Sequence, residues 1–185
     1  QGRIIQSRSA DSIVREVERM AKMPEFTGIV QDIGGPTANM YGIHCGRWET
    51  AGTCPDRRCI DCPALDRSHA DQLGLLRRLL DIPGVRRVFI ASGIRYDLIG
   101  PEDEEYLSRI CADHVSGHLK VAPEHVSARV TACMGKPPRA VFDAFRERFE
   151  VLQAGKKKRQ YLVPYLISGH PGCRMEDMVE LAEYV

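Results

Sequence analysis

The chain has 185 residues, 43% of them apolar and 28% charged, the proportions of a globular domain with room for one sizeable core. Lys plus Arg number 26 against 25 for Asp plus Glu, and a net charge of +1 excludes any global electrostatic pull toward nucleic acid or an acidic membrane. No apolar run approaches the roughly 20 residues of a spanning helix, and nothing at the start resembles a signal peptide.

The order of elements follows from the pattern of apolar residues. Ser9 is a candidate N-cap ahead of Ile13, Val14 and Val17, which predicts a helix over about 10–23. "TGIVQDIGG" (27–35) is a short apolar stretch ended by glycines, as a buried strand is. A cysteine-rich region without either period follows, and then "HADQLGLLRRLLDIPG" (69–84) is helical until Pro83-Gly84 stops it. "VRRVFIAS" (85–92) reads as a strand, "EDEEYLSRICADHVSG" (102–117) as a helix with acids in its first turn, and "HLKVA" (118–122) as a strand. "PPRAVFDAFRERFEVLQAG" (137–155) is a helix with Pro at its start and Gly past its end. "RQYLVPYLIS" (159–168) is a further strand, although Pro164 suits a central strand poorly. A last amphipathic helix closes the chain with no C-cap, and the start reads like the middle of a domain, so further sequence is expected on both sides.

Repeated helix–strand alternation predicts βα units and a parallel sheet, hence an α/β fold. Ligands of such sheets and barrels bind at the carboxyl ends of the strands. Four loops fall there: Gly34, Gly35, Pro36, Thr37, Ala38 and Asn39; Ser92, Gly93, Ile94, Arg95, Tyr96 and Asp97; Pro123, Glu124, His125 and Ser127; Ser168, Gly169, His170, Pro171 and Gly172. Together they predict a pocket for a polar, partly charged ligand, with glycines letting the main chain approach it. His114 and His118 fall at the opposite end and read as structural, and His69 reads as the opening of a helix. "KKKR" at 156–159 reads as a solvated run between a helix and a strand.

Several of these stretches carry a resemblance. "GRIIQSRSADSIVREVERM", "DIGGPTANM", "VAPEHVSARVTACMGKP" and "LISGHPGCRMEDM" are similar to successive segments of radical S-adenosylmethionine (radical SAM) enzymes. The ensemble "GGPTANM", "FIASGIRYDL", "LKVAPEH" and "YLVPYLISGHPGC" most closely resembles the YgiQ-type members, a group largely without an assigned reaction. The resemblance implies a partial (βα) barrel with parallel strands inside and helices outside. It implies that Gly34 and Gly35 expose backbone to the methionine end of S-adenosylmethionine. Ser92 and Arg95 would reach ribose and carboxylate, Arg pairing with the latter through its planar fork. Glu124 and His125 would face ribose or substrate, and Gly169, His170, Pro171 and Gly172 would border the adenine. An ion pair with Asp97 is the plain alternative for Arg95, helix capping for Glu124, and a satisfied loop residue for His125.

The family's C-x3-C-x2-C, whose thiolates hold a 4Fe–4S cluster, is absent from the chain and by the family pattern would lie just before Gln1. Pro36 stands where many relatives have Glu, and so does Cys173. The resemblance therefore implies part of a radical SAM core without its first strand, cluster loop and last strand, inactive alone. Its full-length form would cleave S-adenosylmethionine reductively, with a flavodoxin or ferredoxin as electron donor, on a substrate the sequence does not identify.

Cys45, Cys54, Cys59 and Cys62 fall within 18 residues as C-x8-C-x4-C-x2-C. The closing C-x2-C is the knuckle spacing that turns two thiolates toward one metal. An odd total of seven cysteines without a secretory signal predicts reduced thiols in the cytoplasm. Soft thiolates select zinc or a second iron–sulfur cluster, and Arg47, Arg57, Arg58 and Arg67 favour the ionised sulfur. Residues 44–65 thus form a Cys-rich insertion with a structural metal, while unliganded thiols or disulfides are the plainer readings. The alternative to an enzyme is a zinc-stabilised α/β binding module for RNA or a protein, against which stand the near-neutral charge and only 6% aromatic residues.

Overall fold

The computed structural model describes residues 4–35, 37–55 and 59–185. Pro36, Arg57 and Arg58 lie outside the described residues. Helix α1 (Ala10–Met20) starts where the Ser9 hydroxyl accepts the Ser12 N–H at 3.3 Å, and it turns Val17 into the core. Strand β1 (Ile29–Val30) follows. The cysteine-rich region begins at β2 (His44–Cys45), carries the single helix α2 (Arg47–Ala51) and closes at β3 (Leu65–Asp66). Then come α3 (Ala70–Leu80), β4 (Arg87–Val88), α4 (Glu104–Arg109), β5 (His118–Glu124), α5 (Ala128–Met134), α6 (Arg139–Gln153), β6 (Tyr161–Leu166) and α7 (Met175–Tyr184).

The fold is α/β with short parallel strands. β1 pairs in parallel with β4 through Ile29–Arg87 and Val30–Val88, and Ile33 N–H to Phe89 C=O at 2.8 Å carries the pairing on. β5 pairs in parallel with β6 from His118–Tyr161 to Glu124–Leu166, with an irregularity between Val121 and Glu124. A single parallel bridge, Ile94–Val121, joins the two pairs. The parallel segments therefore follow one another in chain order, as βα units require. Among the described residues the strands form three sheets of two, and no closed barrel.

One core cluster runs through the molecule: Leu75, Leu76 and Leu79 of α3, Val88, Leu107, Ile110, Leu119, Val121 and the Phe142, Phe145, Phe149 stripe of α6. That stripe has i, i+3, i+7 spacing, the face a helix buries. The predicted helix over 102–117 is three pieces: a 3-10 turn (Pro101–Asp103), α4, and a π turn (Ile110–His114). The distortion accompanies two contacts with β4. His114 Nδ1–H donates to Val88 C=O at 2.8 Å, and Ile90 N–H donates to His114 C=O at 2.8 Å. His114 is thus a buried structural residue, as read. Pro164 is accommodated because, among the described strands, β6 pairs only with β5 and leaves Pro164 and Tyr165 exposed on its other side.

Candidate functional site

The loops after β1 and β4 are held together by two polar residues. Asp32 Oδ1 accepts the N–H groups of Ala91 at 2.9 Å and Ser92 at 3.1 Å, while the Ser92 hydroxyl donates to Asp32 Oδ2. A Cβ on Gly34 would fall 2.7 Å from Ser92 Cβ. Gly34 therefore serves this close approach, whereas a Cβ on Gly35 would meet nothing within 4 Å. Asn39, fully buried, spans the same gap: its Nδ2 donates to Arg95 C=O at 2.9 Å and its Oδ1 accepts Arg95 N–H at 2.7 Å. Ala38 N–H adds a bond to Gly93 C=O at 2.9 Å.

Behind Asn39 stands a buried polar stack. Its Nδ2 lies 3.4 Å from His69 Nε2, and His69 Nδ1 lies 3.4 Å from Asp103 Oδ1. The imidazole stacks on Tyr106 with centroids 4.0 Å apart, and the Tyr106 hydroxyl donates to Gln72 Oε1 at 2.7 Å. Burial holds the His69 pKa below its ordinary 6.5, against the pull of Asp103. Arg95 is paired: its guanidinium meets both oxygens of Asp97, with Nε to Oδ1 at 2.9 Å. The fork keeps the rest of its five donors for another acceptor.

Glu124 is the one described non-glycine residue with positive φ, at +70°. That conformation costs a side-chain-bearing residue roughly 1–3 kcal/mol and tends to mark functional positions. It does not cap a helix. α5 begins four residues later, and the Glu124 carboxylate pairs with Lys136 Nζ at 3.3 Å. Its C=O accepts Ile167 N–H at 2.7 Å, which ties the loop after β5 to the loop after β6.

That last loop turns by a mechanism readable from its residues. In "HPGC", Cys173 N–H donates to His170 C=O at 2.8 Å, and Gly172 has φ +90°. Proline second and positive-φ glycine third are the requirements of a type II turn. Asp177, in the first turn of α7, binds the whole corner: it accepts from the Ser127 hydroxyl at 2.6 Å, from Arg174 N–H at 2.7 Å and from the Arg129 guanidinium. Arg129 also donates to Gly172 C=O. His125 is 1% exposed, covered by immediate neighbours although shallow in the molecule, and desolvation lowers its pKa. Its Nδ1 accepts Ser127 N–H at 3.1 Å and its Nε2 lies 3.8 Å from Cys173 Sγ.

The four predicted loops are thus joined in series, the first to the second through Asp32 and Asn39, the second to the third through Ile94, and the third to the fourth through Glu124, His125 and Asp177. A cavity of about 270 Å³ lies elsewhere, between α6 and β6, lined by Phe142, Phe149, Tyr161, Leu166 and Tyr184 among others. Asp32 and Asp177 were not singled out in the sequence. Each carried a signal, an acid two residues before Gly-Gly and an acid in a helix's first turn.

In the Cys-rich region Cys45 is buried and Cys54, Cys59 and Cys62 are half-buried. The antiparallel β2–β3 pair, His44–Asp66 and Cys45–Leu65, closes the base of the excursion. Cys62 N–H donates to Cys59 C=O at 3.1 Å, the tight turn that a C-x2-C knuckle uses. Among the described residues, however, no three His, Cys, Asp or Glu side chains gather closely enough to hold a metal ion. The turn is present; a ligand set is not assembled.

No helix among the described residues is long and apolar enough to cross a membrane. The chain is similar over its whole length to proteins named UPF0313 protein. It is 53% identical over 188 residues to one from Methanosarcina mazei, of which it covers 30%, and 50% identical over 188 residues to one from Methanosarcina acetivorans, of which it covers 25%. A Clostridium perfringens UPF0313 protein is 46% identical over 189 residues, with 28% of its length covered. The chain therefore spans less than a third of the length of these relatives. No family model matches it, and no solved structure does.

Proposed function

We propose that the chain is part of the catalytic core of a radical SAM protein of the YgiQ type, whose full-length form cleaves S-adenosylmethionine reductively to begin chemistry on a further substrate. The observation that carries this reading is the serial joining of four loops that each follow a parallel segment, because a nucleoside ligand of a βα fold is held by such loops. Whole-length similarity to UPF0313 proteins, far longer than this chain, supports its being one portion of a larger protein. In this reading the chain continues into a (βα) barrel, and the cluster-binding cysteines belong to residues preceding Gln1. A flavodoxin or ferredoxin supplies the electron, and the protein works in the cytoplasm.

When bound, the iron–sulfur cluster supplies the electron that cleaves S-adenosylmethionine. The residues of this chain bind and orient. The Gly35 and Gly169 backbones, unobstructed where a Cβ would stand, admit the ligand closely. Arg95, oriented by Asp97, presents its remaining donors to a carboxylate. Ser92, whose proton is given to Asp32, offers only lone pairs. Glu124, held by Lys136, suits a ribose hydroxyl, and His170 with Pro171 and Gly172 borders the base. The Cys45, Cys54, Cys59 and Cys62 region takes zinc or a second cluster that gathers its thiolates on binding.

The test is an anaerobic preparation of the full-length protein, with iron, sulfide and zinc counted, then supplied with S-adenosylmethionine and dithionite. The expected outcome is 5′-deoxyadenosine and methionine by chromatography, lost in an Arg95→Ala variant through a raised KM. A reduced, iron-loaded protein that yields neither product overturns the reading.

A further inference from the structure

We propose that Cys173 is a reactive thiol at the rim, a site for soft electrophiles whose sulfur His125 holds as a hydrogen-bond acceptor. It goes beyond the function proposed above and does not depend on it. Three observations carry it.

The first is the tautomer. Ser127 N–H points at His125 Nδ1 at 3.1 Å, so Nδ1 is an acceptor and the ring proton of neutral imidazole resides on Nε2. That Nε2–H is the atom 3.8 Å from Cys173 Sγ. His125 cannot then serve as a base for the thiol; it donates to sulfur, and a donor to sulfur favours the thiolate. Protonating His125 would set an Nδ1–H against the Ser127 N–H, so the ring stays neutral, in line with the direction that burial imposes.

The second is the thiol's other contact. Cys173 Sγ lies 3.6 Å from Arg174 C=O, an acceptor to which only the protonated form can donate. Ionisation gives up this weak bond and keeps the one from His125. Facing the sulfur's corner are Arg129, which donates to Gly172 C=O and pairs with Asp177, and on α7 Asp177 and Glu180; Arg174 follows Cys173 directly. His170 lies near enough to act on His125, and Cys133 of α5 lies within van der Waals reach of a Cβ built on Gly172.

The third is an unmet polar group. Nδ1 of His170, in the same type II turn, is buried and has no hydrogen-bond partner. A buried polar atom without a partner costs free energy that an incoming ligand atom can restore. A half-buried thiol, a pinned imidazole and an unpaired imidazole nitrogen on one turn make a site for a small polar electrophile. In the reaction the sulfur forms a bond to the electrophilic carbon, the leaving group departs with its electron pair, and the thiol proton goes to water.

The experiment alkylates the whole protein with iodoacetamide, anaerobically and without denaturant, and follows Cys133 and Cys173 peptides by mass spectrometry between pH 6 and 9. Cys133, exposed and adjacent, is the internal reference. Cys173 is expected to react about tenfold faster than Cys133 at pH 7 despite its lesser exposure, with the midpoint of its rate profile at lower pH. His125→Phe removes the donor and should bring Cys173 down about tenfold, while His125→Gln, whose amide restores an N–H, should retain most of the rate. Rates that follow exposure at every pH, or a Phe variant as fast as the wild type, overturn the proposal. Should the Phe variant not fold, the wild-type comparison of the two cysteines decides alone.

Discussion

The rim and the Cys-rich insertion contrast in how each is held. At the rim, buried polar side chains bridge segments far apart in sequence: Asn39 grips the main chain of Arg95, and Asp177 collects Ser127, Arg129 and Arg174. The insertion hangs from a two-residue ladder, with one short helix and one tight turn inside it. Its cysteines are half-buried apart from Cys45, and they do not converge. The rim is shaped by the chain itself. The insertion has the spacing of a site whose shape a ligand completes, as small metal-held loops do.

The largest expected effect separates the two modes directly. Cys59→Ser with Cys62→Ser should abolish metal retention in the purified full-length protein, read by elemental analysis, and leave the rim's folding untouched. Unchanged metal content removes the four-thiolate site and with it the contrast. Next in size is Asn39→Ala, which strands the buried N–H and C=O of Arg95. Its cost should be about 3 kcal/mol, since each deserted buried polar group forfeits about 1–3 kcal/mol. Amide hydrogen exchange over residues 92–96 should accelerate accordingly, with residues 44–66 unaffected.

Asp177→Asn comes third. It keeps the shape but discharges the partner of Arg129, whose side chain is 38% exposed, so solvent screening reduces the effect to about 1–2 kcal/mol. Stability should also depend on pH through His69 and His125. Burial sets both below the ordinary 6.5, so the unfolded chain binds protons that the folded one refuses. Stability is then full above about 6.5 and falls as the pH drops below it, by at most about 1.4 kcal/mol per pH unit for each group. A denaturation series from pH 8 to 5 checks the sign, and His69→Gln should flatten it.

How far the molecule was legible in its sequence follows the range of each interaction. Ser9 as a cap, the Phe142–Phe149 stripe and the Pro171-Gly172 turn depend on neighbours within one or two turns, and all are found as read. The parallel arrangement followed from alternation, which carries topology without needing any particular contact. The clamps did not show, because Asn39 meets Arg95 across 56 positions and Ser127 meets Asp177 across 50. Nothing local distinguishes a buried asparagine that joins two loops from one that solvates a single loop. The Arg95–Asp97 pair, two positions apart, was within reach of sequence and was weighed there as the plain alternative.

Glu124 gives the smallest effect on stability and the sharpest distinction between folding and function. Substituting Gly relieves a positive φ worth roughly 1 kcal/mol and removes a partly buried ion pair with Lys136 worth a similar or smaller amount. The two oppose each other, so Glu124→Gly should leave stability within about 0.5 kcal/mol of the wild type. Lys136 keeps its bond to Ala122 C=O at 2.9 Å and the loop keeps the Ile167 contact, both independent of the Glu124 side chain. S-adenosylmethionine binding by calorimetry should nevertheless weaken by about tenfold, because the strained carboxylate is held at the rim for a ligand and not for the fold. A variant that binds as before but unfolds by more than 2 kcal/mol would assign Glu124 to the scaffold, alongside Asn39 and Asp177.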